Sequence, residues 1–195
     1  MILMTNLVRA VLCIIAFCTF LSCSTGSADA KQDYKRTTER YTVPDVTLVN
    51  QDGTKVSLRS LLQSGKPVLF DFIYTTCTTI CPVLSASFTN FQKKMGADAG
   101  RTHLVSISID PENDTPKRMK EYLKKFDAKR GWDFLTGSRA DIDKVITAFD
   151  ANATNKMEHL PIIIIWSPVN RTWTRVFGFL STAELIEELK KATAR

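Results

Sequence analysis

The segment that most restricts the fold is Pro67 to Tyr74, reading Pro-Val-Leu-Phe-Asp-Phe-Ile-Tyr, which is followed closely by Cys77, Cys81 and Pro82. An apolar run of strand length without alternation is the signature of a strand buried on both faces, and that in turn requires helices covering each side of a sheet. Pro82 lacks an N–H and is tolerated in a first helical turn, so a helix is predicted to begin near Thr79 to Cys81. Both thiols then sit at a helix N-terminus, where unpaired amides and the helix dipole favour thiolate over thiol.

The remaining chain alternates strands and helices. Val46 and Leu48 alternate with polar residues, Asp52-Gly53 supplies a turn, and Val56 and Leu58 resume the alternation, which predicts a hairpin. Leu84, Phe88, Phe91 and Met95 recur at helical spacing. A strand from His103 to Ile109 precedes a helix with Thr115 as N-cap and Pro116 at its first position. Ser138 and Asp141 open another helix carrying Ile142, Val145, Ile146 and Phe149. Ile162 to Trp166 is a further buried strand, Thr172 to Val176 another, and Ser181 with Glu184 caps a last helix. The class is α/β, with a mixed central sheet, helices on both faces and an N-terminal β-hairpin.

The N-terminal part is different. Arg9 precedes an apolar run from Ala10 to Leu21, too short for the roughly 20 residues of a membrane-spanning helix and suited to the core of a signal peptide. Its end, Phe20-Leu21-Ser22-Cys23-Ser24, resembles a bacterial lipoprotein cleavage box, with Leu two places before the cysteine and not three. A plain secretory signal and an uncleaved anchor are the alternatives. Residues 24–40 are polar and without apolar periodicity. The expected organisation is a lipoprotein signal peptide over 1–22, a flexible tether over 23–42 and one folded domain over 43–195, held outside the cytoplasm at a membrane surface.

A net charge of +6 is spread along the chain, with acids between the lysines, and no basic stripe interleaved with aromatics points to nucleic acid. Of five cysteines, Cys13 and Cys18 fall in the signal and Cys23 at its end, so Cys77 and Cys81 are the only thiols of the folded part. A disulfide across so short a loop removes little unfolded-state entropy, which favours a chemical role for the pair. A thioredoxin-type redox motif has two residues between its cysteines, and here there are three, Thr78, Thr79 and Ile80. The wider loop can close a disulfide or turn both sulfurs toward one metal ion, and soft sulfurs select Cu(I), with an imidazole extending the site to Cu(II). Of the two histidines, His103 stands at a strand start and reads as structural. His159 follows a polar stretch and precedes a buried strand, as a surface loop residue or a third ligand.

The stretch Asp71-Phe-Ile-Tyr-Thr-Thr-Cys77-Thr-Thr-Ile-Cys81-Pro82 resembles the copper-site motif of the Sco/SenC family. Ser108-Ile-Asp110-Pro111-Glu112-Asn113-Asp114-Thr115-Pro116 is similar to the family's acidic loop, and Trp132 to Gly137 to a further segment. His159 stands nine residues before Pro168, at the family's spacing for its ligand histidine. The chain departs from the family at Ser167-Pro168-Val169-Asn170, where Asp-Pro-x-Gly is usual. The resemblance implies a thioredoxin-like fold, copper held by Cys77, Cys81 and His159, and a part in maturing the copper site of a cytochrome c oxidase, with that copper subunit as partner.

Pro161, just ahead of a strand, resembles the cis-proline of thioredoxin-type oxidoreductases and keeps open a second reading, an extracytoplasmic thiol-disulfide oxidoreductase in which Cys77 attacks and Cys81 resolves. A peroxidase is excluded, because Tyr74 and Phe70 stand where peroxiredoxins carry Thr or Ser and Pro. Asp71 in an apolar strand needs a hydrogen bond or a function. Asp110 and Asp114 suit turn formation and capping as well as function, and Met157 is read as a flexible filler before a soft ligand. Lipidation at Cys23 predicts that Cys23→Ala releases or misprocesses the protein; mass spectrometry of the native N-terminus showing no lipid on Cys23 would remove the anchor.

Overall fold

The computed structural model describes residues 34–152 and 155–194. The signal segment and Cys23 lie outside the described residues. Eight strands form one sheet: β1 (Lys35–Glu39), β2 (Thr47–Asn50), β3 (Lys55–Ser57), β4 (Val68–Ile73), β5 (His103–Ser108), β6 (Trp132–Thr136), β7 (Ile162–Ser167) and β8 (Thr172–Phe177). Their order across the sheet is β1-β8-β7-β4-β5-β6-β2-β3. β4, β5 and β6 run parallel, and the other pairings are antiparallel. Among the described residues five α-helices accompany the sheet: α1 (Leu58–Leu62), α2 (Ile80–Met95), α3 (Pro116–Lys125), α4 (Arg139–Ala148) and α5 (Thr182–Thr193). This is the mixed sheet with helices on both sides expected of a thioredoxin-like domain.

All six residues of β4 are buried, as the unbroken apolar run predicts. On one face, Phe70 and Phe72 meet Phe149 at the end of α4, and Phe149 packs edge-on to Trp173 of β8 and to Tyr41. The opposite face is covered by α2, which packs on α5 and bonds to α3 through Ser85 Oγ and Tyr122 Oη at 2.8 Å. The predicted caps hold: Thr115, Ser138 and Ser181 each accept a first-turn amide, and Ser181 with Glu184 makes a full capping box. In the β2–β3 hairpin Asn50 Oδ1 accepts the amides of Asp52 and Thr54, and Gly53 adopts φ 77°. At the β7–β8 turn, where the chain departs from the family pattern, Asn170 bonds to the Ala192 carbonyl and Thr172 Oγ1.

Three elements differ from the sequence reading. Residues 35–39, placed in the tether, form the edge strand β1 against β8, so the folded part begins ahead of residue 43. The strand Lys-Arg-Thr-Thr-Glu carries no apolar side chain, and what holds it besides its ladder is Glu188 on α5, buried at 1% exposure. That carboxylate accepts Arg36 Nε at 2.6 Å and Tyr34 Oη at 2.8 Å. β6 and the short α1 were not predicted either. No peptide bond among the described residues is cis, so the Leu160 to Pro161 bond is trans.

Asp71 lies between Phe70 and Phe72 and therefore points to the α2 face. It is fully buried, and neither carboxylate oxygen has a hydrogen-bond partner. Burial pushes its pKa up to about 7, and nearby Ser106 of β5 opposes this. A carboxyl whose folded-state pKa is raised contributes stability that is complete below the unfolded value near 4 and is lost as pH rises through 7. Asp71→Asn is expected to flatten the decline in unfolding free energy between about pH 4 and about pH 8, by up to about 4 kcal/mol at 1.36 kcal/mol per unit. Denaturant titrations across that range check this; an unchanged pH profile would mean the carboxyl is solvated or paired.

Candidate metal centre

The loop after β4 is a tight turn in which the Cys77 amide donates to the Tyr74 carbonyl. α2 then begins at Ile80 with no side-chain cap from Thr79. The amide of Cys81 instead donates to Cys77 Sγ at 3.4 Å, so the sulfur takes the place of a capping oxygen. The sequence places both thiols at the helix N-terminus, with Cys77 as the attacking sulfur of the redox reading. The structure separates them, because Cys77 precedes the helix and faces its first amides, whereas Cys81 lies inside the first turn.

Their acidities diverge accordingly. Burial works against a Cys77 thiolate, but hydrogen bonds from the Cys81 thiol and amide and from Thr79 outweigh it and bring the pKa down to about 7. For Cys81, burial comes first and the Cys77 sulfur second, and both push the thiol well above its ordinary value.

His159 reaches the same place from the turn that enters β7, the antiparallel neighbour of β4. It closes a short 3-10 turn, Lys156–Glu158, and is buried at 6% exposure. Its Nδ1–H donates to the Lys156 carbonyl at 2.8 Å, which leaves the Nε2 lone pair 3.3 Å from Cys81 Sγ. Burial, opposed by that carbonyl, lowers the imidazole pKa and favours the neutral form a metal needs. Cys77 Sγ, Cys81 Sγ and a His159 ring nitrogen all lie within 4.8 Å of one another. Two sulfurs and one imidazole suit copper, and a structural zinc site takes four protein ligands.

The acidic loop positions this cluster. Asp114 is fully buried and accepts the Thr75 amide and Thr75 Oγ1, the latter at 2.6 Å, together with Ser108 Oγ at 2.6 Å. It thereby fixes the turn that carries Cys77. Asp110 accepts Lys156 Nζ at 2.7 Å and so holds the turn that carries His159. Both carboxylates act beyond local turn formation. Tyr74 completes the wall: its ring lies edge-on to His159 at 5.4 Å, and burial, then the Cys77 sulfur, push the phenol up to about 12. Met157 is no core filler, since it is 64% exposed. His103 stands at the other end of β5, paired with Asp133 at 2.7 Å, and is structural as read.

Known proteins with these features are numerous. Over 106 residues the chain is 44% identical to the SCO1 protein homolog of Bacillus subtilis, a stretch covering 53% of this chain and 54% of that one. The chain thus spans about half the length of this curated relative. A structure of BsSco, described as a member of the Sco family of cytochrome c oxidase assembly proteins with a disulfide switch, is 33% identical with TM-score 0.67. It covers 80% of this chain and 95% of its own. Bradyrhizobium japonicum ScoI with copper bound is 31% identical with TM-score 0.60, covering 75% and 96%. The SCO1/SenC family model matches residues 34–194, from the residue before β1 to the residue after the last helix, and the chain belongs to that family.

Proposed function

We propose that this protein binds copper through Cys77, Cys81 and His159 and serves the assembly of a cytochrome c oxidase, delivering copper to its copper-containing subunit or another cuproprotein. The observation that carries the reading is the His159 tautomer: with Nδ1–H committed to the Lys156 carbonyl, Nε2 has no role left except to face the two sulfurs. Support also comes from relatives whose structures hold copper and from one described as a putative copper-binding protein. Trigonal ligation leaves one face of Cu(I) open to a partner's thiolates, so the ion can leave by stepwise ligand exchange without passing through water.

A second reading is favoured by the divergence of the two thiols. A sulfur with pKa about 7 beside one held protonated is the pattern of an attacking Cys77 and a resolving Cys81. In that case the protein prepares the partner's cysteines by reducing them.

The proposed location is outside the cytoplasm, with Cys23 lipidated as the anchor. Among the described residues no helix is long and apolar enough to cross a membrane. β1 begins at the same end of the sheet as the metal centre, since Lys35 pairs with Phe177 and Phe177 with Ile162, just after His159.

His159→Ala is expected to weaken Cu(II) far more than Cu(I), because two thiolates suffice for linear Cu(I) whereas Cu(II) prefers added nitrogen. Thiol exchange should persist in the variant. Cu(II) absorption, Cu(I) competition and oxidase assembly in cells read the outcome. Normal Cu(II) binding would remove His159 from the ligand set, and lost copper binding with intact oxidase assembly would favour the reductase. Mild oxidation of the metal-free protein should consume Cys77 and Cys81 together in thiol counting, and two persistent thiols would exclude a disulfide.

A further inference from the structure

Met157 combines an exposed side chain with a fixed backbone. At 64% exposure it is the most exposed large apolar residue among the described residues. Its amide donates to Asn155 Oδ1 at 3.0 Å, and the preceding Lys156 is tied to Asp110 by its ammonium and to His159 by its carbonyl. A side chain that buries little surface on so constrained a turn is placed for something other than packing.

Its sulfur is directed inward despite that exposure. Met157 Sδ accepts the Tyr74 hydroxyl at 3.1 Å, and Cys77 is near enough to that hydroxyl to raise the phenol's pKa. The Tyr74 ring also packs edge-on against His159. One phenol therefore touches both the thioether and the imidazole, which brings the thioether to the wall of the centre.

We propose that the Met157 thioether is a further ligand of this centre, swinging from the Tyr74 hydroxyl onto Cu(I) as the ion is loaded and released. The proposal rests on the copper reading above. A thioether is a weak hydrogen-bond acceptor, so little is lost when the O–H···S contact opens, while the S–Cu contact that forms pairs a soft donor with a soft ion. Met has three rotatable side-chain bonds, and the turn below it stays in place as the sulfur moves. Copper keeps its oxidation state throughout, and no proton is transferred to or from the thioether. A neutral soft donor favours Cu(I) over Cu(II), the reverse of the His159 preference, so the two neighbours would bias the centre toward opposite oxidation states.

The test uses the full-length chain in detergent, labelled with selenomethionine and loaded with Cu(I). X-ray absorption at the selenium edge should show a copper neighbour in the wild type and none in Met157→Leu. Competition with a Cu(I) chelator should show Met157→Leu binding Cu(I) about tenfold more weakly, the scale of a single good contact, with Cu(II) absorption unchanged. Wild-type protein that holds copper with no selenium–copper pair, or a variant with undiminished Cu(I) affinity, overturns the Met157 assignment and leaves the three-ligand centre standing. Failure of the wild type to bind copper at all overturns both.

Discussion

β4 and β7 lie side by side and run in opposite directions, and the centre exists because of it. The register pairs Asp71 with Ile163, so the chain leaving β4 and the chain entering β7 meet at one edge of the sheet. Cys77 follows that pair on one strand and His159 precedes it on the other, and 81 residues of intervening chain are spanned by a few hydrogen-bonded rungs. Parallel neighbours would have sent the His159 turn to the opposite edge, where His103 stands. A sheet buried on both faces is rigid because its register cannot slip without exposing Phe70 or Ile164, and this rigidity passes to the loops it launches.

The loops themselves are too polar to be held by packing, and two carboxylates hold them instead. Asp114 gathers Thr75 and Ser108, and Asp110 gathers Asn113 and Lys156. Each lies in the stretch that joins β5 to α3, so a single connection fixes both halves of the centre, the cysteine turn through Asp114 and the histidine turn through Asp110. Burying Asp114 costs desolvation, and burial is the first influence on its raised pKa, opposed by the Ser108 and Thr75 hydrogen bonds. The expense is consistent with a role in geometry beyond stability, since a surface loop would need no buried acid.

Most of this fold was legible in the sequence where burial leaves a period. The central strands, the helix starts at Thr115, Ser138 and Ser181, and the hairpin at Gly53 were all readable from apolar spacing and capping chemistry. β1 was not, because an edge strand of Lys, Arg, Thr and Glu has no buried face to announce it, and its partner Glu188 is 152 residues from Arg36. The identity of the cysteines and the choice of Cys77 as the more reactive one were legible, but the hydrogen bonds that lower one thiol and the burial that raises the other were not. The exposure of Met157 and its contact with Tyr74 were not legible, because Met is so often a buried filler. The tautomer of His159 likewise rests on a backbone carbonyl that no side-chain motif encodes.

The copper and thiol readings draw on one physical arrangement and compete for it. A Cys77 thiolate stabilised by the α2 amides is a better copper ligand and a better nucleophile alike, so acidity at that sulfur does not choose between them. Cys81 does discriminate. Held protonated by burial, it can give its proton to Nε2 of His159 at 3.3 Å when an oxidant closes the disulfide, whereas copper loading must release that proton to solvent, because Nε2 is then needed as a ligand. Once protonated, His159 is lost to a metal, whereas a disulfide between the cysteines removes both thiolates. Metal-loaded and oxidised states therefore exclude each other chemically, and a protein built this way can respond to whichever of copper or oxidant reaches it first.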